Sequence, residues 1–196
     1  ASEFVGPAAT PGSPFFSGSL VTVSAGSITT VQKATSVAAT NIAVNVPNQV
    51  LGGFTTDIKG EPISVQSMVF TVATSSVSGS YGLLTGVTLV DSNGAVVAGP
   101  VDLTGAGDTI TFTDSVTFPV GVKTYTLKGK VPSTILSGTV YTLSSTPSSG
   151  WTSVTGQTTG NTITLSNGAF SMNAMTVKTA ALAISVSTQP SARSVI

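Results

Sequence analysis

Residues 108–131 read DTITFTDSVTFPVGVKTYTLKGKV, and their two-residue period is that of a half-buried β-strand. Ile110, Phe112, Val116 and Phe118 share one parity, while Thr109, Thr111, Thr113 and Thr117 take the other. One face is dry and the other is wet. After the corner at Pro119 and Gly121, Tyr125, Leu127 and Val131 alternate with Thr124, Thr126, Lys128 and Lys130. The dry face is thus rebuilt on a strand running back, as a β-hairpin or as a corner between two sheets.

The rest of the chain repeats this theme. SLVTVS, SITTVQ and NIAVNV, the last stopped by Pro47, are followed by QVLGGFTTDI and EPISVQSMVFTVAT. In the latter, Ile63 and Val65 are odd while Met68, Phe70 and Val72 are even, so a one-residue bulge near Gln66 or Ser67 is needed to keep all five on one face. LLTGVTLVDSNGAVVAG reads as two strands around Asp91-Ser92-Asn93-Gly94, where Asn-Gly supplies the positive φ of a tight hairpin turn. Then come TVYTLSS, a Pro/Ser/Gly loop at 146–150, the lone Trp151, NTITLS and AFSMNAMTVK. There Phe170 and Met172 are even and Met175 and Val177 odd, which predicts a second bulge near Asn173. No helical period is visible. Turn signals at short intervals are those of an all-β antiparallel sandwich rather than of alternating βαβ units.

Composition narrows the function classes. The chain is 40% hydrophobic but only 7% charged, against about 25% charged in an average soluble protein. Serine and threonine make up roughly three residues in ten, and threonine suits strands because its branched Cβ packs on a pleated surface while its hydroxyl meets water. Seven basic and seven acidic residues give a formal net charge of zero. That balance offers no electrostatic footprint for nucleic acid and none for an acidic partner. It also lowers the barrier to self-association. No window reaches the roughly 18 unbroken apolar residues of a membrane helix, and no charged-then-apolar signal peptide remains, so the expectation is a soluble chain without membrane insertion, already processed or trimmed.

Three divisions are expected: a tail at 1–17, a sandwich domain at 18–179, and a C-terminal strand at 180–196 that starts a next module or pairs between subunits. The tail, ASEFVGPAATPGSPFFS, has too much proline and glycine for a helix or central strand. It nevertheless carries Phe4, Val5, Phe15 and Phe16, which invite docking onto an apolar surface. Ala-Ser-Glu-Phe is also what two adjacent cloning sites encode, so a scar, a mature N-terminus, a linker and a donor segment are all open readings. SLVTVSAGS near the start aligns with LAISVSTQP near the end, setting Val21 over Ile184, Val23 over Val186 and Ser24 over Ser187. That is the pattern of one module's first strand followed by the next module's. The last apolar stretch, Leu182, Ile184 and Val186, has little sequence after it to cover it.

Together EPISVQSMVFTV, GVTLVDSNGAVVAGPVDL, DTITFTDSVTFPVGVKTYTLKGKV and GNTITLSNGAFSMNAMTV resemble an Ig-like β-sandwich module of secreted and surface-array proteins of bacteria and archaea. The resemblance covers roughly residues 60–187 and rests on hydrophobic pattern and turn chemistry. It implies a stalk, surface-layer unit, adhesive repeat or filament subunit; filament members donate a terminal strand into a neighbour's sheet. The chain departs from Gram-positive pilins in lacking a sorting motif.

The residue inventory leaves little catalytic chemistry. Without histidine or cysteine there is no Ser-His-Asp or Cys-His nucleophile, and none of the six lysines lies in an S-x-x-K. A carboxylate pair would have to come from Glu3, Asp57, Glu61, Asp91, Asp102, Asp108 and Asp114, most of them at turn positions that favour Asp for geometry alone. Asp91-Ser92-Asn93-Gly94 spaces oxygen ligands like the start of a calcium loop but lacks the distal Glu. A lysine cross-link between Lys59 and Glu61 is too local. Lys128 and Lys130 read as solvation and edge protection. Trp151 is either a core plug or, alternatively, a sugar-stacking platform.

The expectation is therefore a non-enzymatic, extracellular structural subunit of the cell surface, with no cofactor and no metal. It assembles with other copies of itself, or adjacent modules, into a filament or surface layer by β-strand addition. Phe4, Val5, Phe15, Phe16, Leu182, Ile184 and Val186 are its expected joints. The alternative is an adhesin or carbohydrate-binding repeat with a glycan partner. No N-x-S/T sequon is present, and O-glycosylation of the Ser/Thr loops stays open.

Overall fold

A computed structural model describes residues 25–75, 83–103 and 108–179. In chain order the elements are β1 (Ser27–Lys33), β2 (Asn41–Ala43), β3 (Gln49–Lys59), β4 (Ile63–Ser75), β5 (Thr85–Val90), β6 (Val96–Val101), β7 (Thr109–Phe112), β8 (Val116–Phe118), β9 (Gly121–Lys130), β10 (Val140–Ser145), α1 (Pro147–Gly150), β11 (Trp151–Gly156), β12 (Phe170–Ser171) and β13 (Met175–Lys178). One sheet runs β1-β3-β9-β5-β6, and the other is built on β11-β4-β10-β13-β2 with β7 and β8 also on β4 and β12 on β10. All pairs are antiparallel except β13 with β2. The fold is the all-β sandwich its periodicity predicts.

Residues 119–121 form a corner rather than a hairpin: β7 and β8 pair with β4, whereas β9 crosses to the other sheet between β3 and β5. The dry faces then meet across the interior. Phe118 and Tyr125 lie edge to face with centroids 4.9 Å apart, Trp151 stacks on Phe118 at 5.4 Å, and Phe54 stacks on Tyr125 at 5.6 Å. Such aromatic pairs each add about 0.5–1.5 kcal/mol beyond the area they bury.

Strand β4 changes parity where the first bulge is predicted, but no residue is inserted in it: its ladder with β11 keeps one register throughout. Trp151 faces Met68 and Val154 faces Val65, so each strand places two consecutive residues outward between its inward ones: Gln66 and Ser67 on β4, Thr152 and Ser153 on β11. Ser153 achieves this with φ of 51°. On the other side of β4, three residues separate Phe112 from Val116 where two separate Val65 from Met68. The extra residue is taken up in the kink around Asp114.

The second predicted bulge is present. Ser144 faces Ser171 but Tyr141 faces Met175, a slip of one residue that keeps Met172, Met175 and Val177 buried. Around it the ladder opens, and Asn173 Nδ2 donates to the Val37 carbonyl at 2.8 Å. NTITLS departs from the expectation. Only Thr162 bridges, to Thr155, and Ile163 N–H donates to the Val154 carbonyl. Beyond that, Leu165 turns inward and Asn167 Nδ2 reaches the Thr29 carbonyl of β1. The segment therefore leaves one sheet to close the side of the sandwich against the other, so its side chains keep a strand's alternation without a strand's ladder. The expected 146–150 loop holds the one-turn α1, which lets β10 and β11 follow one another along a single edge of β4.

Ser153 offers a direct check. Ser153→Val forces a β-branched residue into the left-handed region and should cost about 1–3 kcal/mol, while Ser153→Gly should be neutral or stabilising. Denaturant unfolding followed by the single tryptophan reads both.

Candidate functional site

Four of the seven carboxylates are spent on backbone amides. Asp91 Oδ1 accepts from Asn93 N–H at 2.8 Å and Ala95 N–H at 2.9 Å, fixing the hairpin turn whose Gly94 has φ of 86°. Asp102 accepts from Gly86 N–H at 2.7 Å. Asp114 accepts from Gly99 N–H at 2.8 Å, tying β6 of one sheet to the β7–β8 kink of the other. Gly99 has φ of 90°, and a Cβ there would lie 2.5 Å from the Val87 carbonyl. The calcium-like spacing at Asp91 is thus occupied by turn chemistry. Among the described residues no cluster of three or more metal-ligating side chains forms.

Glu61 is the most enclosed of these. It is 5% exposed, and its carboxylate accepts from Gly26 N–H (3.1 Å), Thr158 N–H (2.6 Å), Thr159 N–H (2.8 Å) and Thr159 Oγ1–H (2.7 Å). Gly156 leaves the space; a Cβ there would collide with the carboxyl group. The Thr159 hydroxyl first, then the Thr159 amide, and to a lesser degree the Thr158 and Gly26 amides, outweigh burial and hold Glu61 down at about 2. This clamp joins the turn after β3 to residues 156–161 and to Gly26, where the chain comes into the described body. Sequence reasoning missed it, since its donors lie 35 and 97 or more residues away. Lys59 pairs instead with Asp57 at 3.1 Å.

Trp151 is the core plug. It is 4% exposed, its ring lies against Phe118 and Phe54, and its Nε1–H donates to Ser145 Oγ at 3.1 Å. The sugar-stacking reading fails because no ring face reaches solvent. Lys128 and Lys130 are also corrected: β9 is interior to its sheet, so they protect no edge. Phe4, Val5, Phe15, Phe16, Leu182, Ile184 and Val186 lie outside the described residues.

A concavity of about 270 Å³ is lined by Asp91, Asn93, Val97, Pro119, Lys123 and Tyr125, among others. Burial, and secondarily the Asp91 charge, push the Tyr125 phenol up to about 12, so this lining is a phenol, an ammonium and a turn-bound carboxylate.

The register also fixes where the chain passes through the body. Ser27 faces Lys59, Gly121 faces Ile58, Phe118 faces Ile63 and Gly156 also faces Ile63, so Gly26 comes in at the end marked by Gly60 and Glu61, here the upper end. Val140 faces both Ser75 and Thr176, so Lys178 departs at the lower end. The thirteen residues of β4 separate the two by roughly 40 Å at about 3.3 Å per residue. Comparison with protein-family models, curated proteins and solved structures finds no match to this chain.

Glu61 gives a signed pH test. Its folded value lies below the ordinary 4.5, so its contribution is complete above about 4.5 and is lost as pH falls through about 2. Wild type should lose more stability across that window than Glu61→Gln, with the difference read by denaturant unfolding. Thr159→Val should move the Glu61 titration, followed by NMR, up toward 4.5.

Proposed function

We propose that the protein is an extracellular structural module, joined end to end with copies of itself or with neighbouring modules to build a filament or surface layer. The observation that carries this reading is the passage of the chain through the sandwich, in at one end and out at the other. A module threaded in this way lengthens an array by about its own long axis with each unit.

Two further features support it. Three of the lateral edges are poorly suited to pairing with another chain: β6 carries Pro100, which has no N–H to donate; β7–β8 is broken at Asp114; β2 has three residues. Short, kinked or proline-bearing edges discourage sheet-to-sheet association. Continuity between units then falls to the ends and to the terminal segments, and strand addition by those segments is the mechanism proposed. The carboxylates that carry much of the chain's reactive potential are also committed to holding turns. The carbohydrate-binding alternative rested on Trp151, which is in the core.

Negative-stain electron microscopy beside light scattering should show ordered fibres or sheets from the full chain at physiological salt. Deleting residues 1–17, or making Ile184→Asp, should reduce assembly while circular dichroism stays that of the folded sandwich. Variants that assemble as wild type does would remove the terminal segments from the mechanism.

A further inference from the structure

The large apolar side chains left exposed sort by position. Val46, Leu83, Val96, Val120, Val122 and Leu136 are the exposed large hydrophobics among the described residues. Val120 and Val122 lie at the upper corner, since Val122 faces Asp57 and Gly121 faces Ile58. Val96 stands at the base of the adjacent 91–95 turn, where it faces Val90. Val46, Leu83 and Leu136 lie at the lower end. Asn45 N–H donates to the Val131 carbonyl just beyond β9, Leu83 precedes a Thr85 that faces Lys130, and Leu136 sits in the loop between β9 and β10. Below Val122, the outward face of β9 carries Thr124, Thr126, Lys128 and Lys130.

We infer that the two ends are complementary halves of one head-to-tail contact, in which the lower end of one copy, through Leu136, Leu83 and Val46, seats on the upper end of a second copy, through Val122, Val120 and Val96. The inference rests on the end-to-end reading above and deepens it by naming the surface. The occupant is a second copy because the ends that carry the apolar residues are the ends through which the chain passes. At least seventeen residues follow Lys178 and Thr179 from the lower end. Extended, at about 3.3–3.6 Å each, they reach roughly 60 Å, past the whole length of β4 in a copy seated there. The contact surfaces also match in chemistry. Leu136 is flanked by exposed Ser133, Thr134 and Ser137, and the upper end carries a concavity whose lining offers Asp91, Asn93, Lys123 and the Tyr125 phenol as hydrogen-bonding groups. Apolar residues ringed by such groups make a contact that excludes water at its centre and stays satisfied at its rim. A heterologous contact between opposite ends of the long axis propagates as a filament unless its rotation closes a ring.

Because the chain has no cysteine, paired thiols report the contact cleanly. Val122→Cys with Leu136→Cys on one full-length chain, oxidised under assembly conditions, should give a ladder of dimers, trimers and higher species on non-reducing gels. A mixture of the two single variants should give heterodimers only. Leu136→Asp should raise the concentration needed for assembly by about tenfold or more, the equivalent of about 1.4 kcal/mol. Both positions are exposed, so each variant should fold, as tryptophan emission will verify. Homodimers from either single variant as readily as heterodimers would mean that like ends meet, and would overturn the contact. Ordered fibres without any ladder would overturn it while leaving end-to-end assembly standing, whereas a chain that stays monomeric at every concentration would remove both.

Discussion

Keeping one face of β4 dry over thirteen residues is the constraint on which the rest of the sandwich depends. Ile63, Val65, Met68, Phe70 and Val72 must all point inward, yet a strand alternates strictly and the parity changes after Val65. A regular ladder would have turned one half of the strand out to water. The change is absorbed at a single level. β11 makes the same two-residue outward step with Ser153 in the left-handed region, and the β7–β8 side takes up its own extra residue around Asp114. Trp151, Phe118, Phe54 and Tyr125 meet across the sheets beside that level, so the aromatic centre of the core lies where the alternation would otherwise fail.

With so few charges, the chain uses its carboxylates as fixtures. A carboxylate accepting backbone N–H bonds satisfies donors that a turn leaves unpaired, and it does so without a cation. Asp91, Asp102 and Asp114 each hold a local or cross-sheet turn in this manner. Glu61 extends the device over the largest sequence separation, fastening Gly26 and residues 156–161 to the turn that links the two sheets. Solubility is then left to hydroxyls, which face water on the strands without repelling a neighbouring copy as like charges do.

Much of this was legible because alternation is a local signal. Both parity changes, at Gln66–Ser67 and near Asn173, were visible in the residues themselves, and the Asp91–Gly94 turn was visible in its Asn-Gly. The Glu61 clamp was not, because nothing about Glu61 or Thr159 alone reveals that their separation in sequence closes in space. The 161–166 segment misled for a related reason: Ile163 and Leu165 alternate as a strand does, but alternation records burial and not hydrogen bonding. Trp151 was ambiguous between core and surface since its polar neighbours, Ser149, Thr152 and Ser153, belong to the outward step and to the α1 turn, whose positions depend on β4.

The same economy bears on the proposed end-to-end contact. A β-sandwich has two kinds of vulnerable surface, the edges of its sheets and the ends of its strands. Here several edges are interrupted: Asp114 stitches β6 to the β7–β8 kink, Thr162 bridges Thr155 on β11, Asn167 Nδ2 reaches the Thr29 carbonyl of β1, and Pro100 removes a donor from β6. The ends are treated differently, with valines and leucines left uncovered where loops elsewhere carry serine and threonine. Burial of apolar surface is non-directional and favours whatever contact removes the most of it from water, so exposed valines and leucines at the ends favour the proposed approach along the long axis. Low charge keeps repulsion small in the proposed contact, and the difference between the two ends, a loop presenting Leu136 below and Val120 and Val122 at the corner above, would give it polarity.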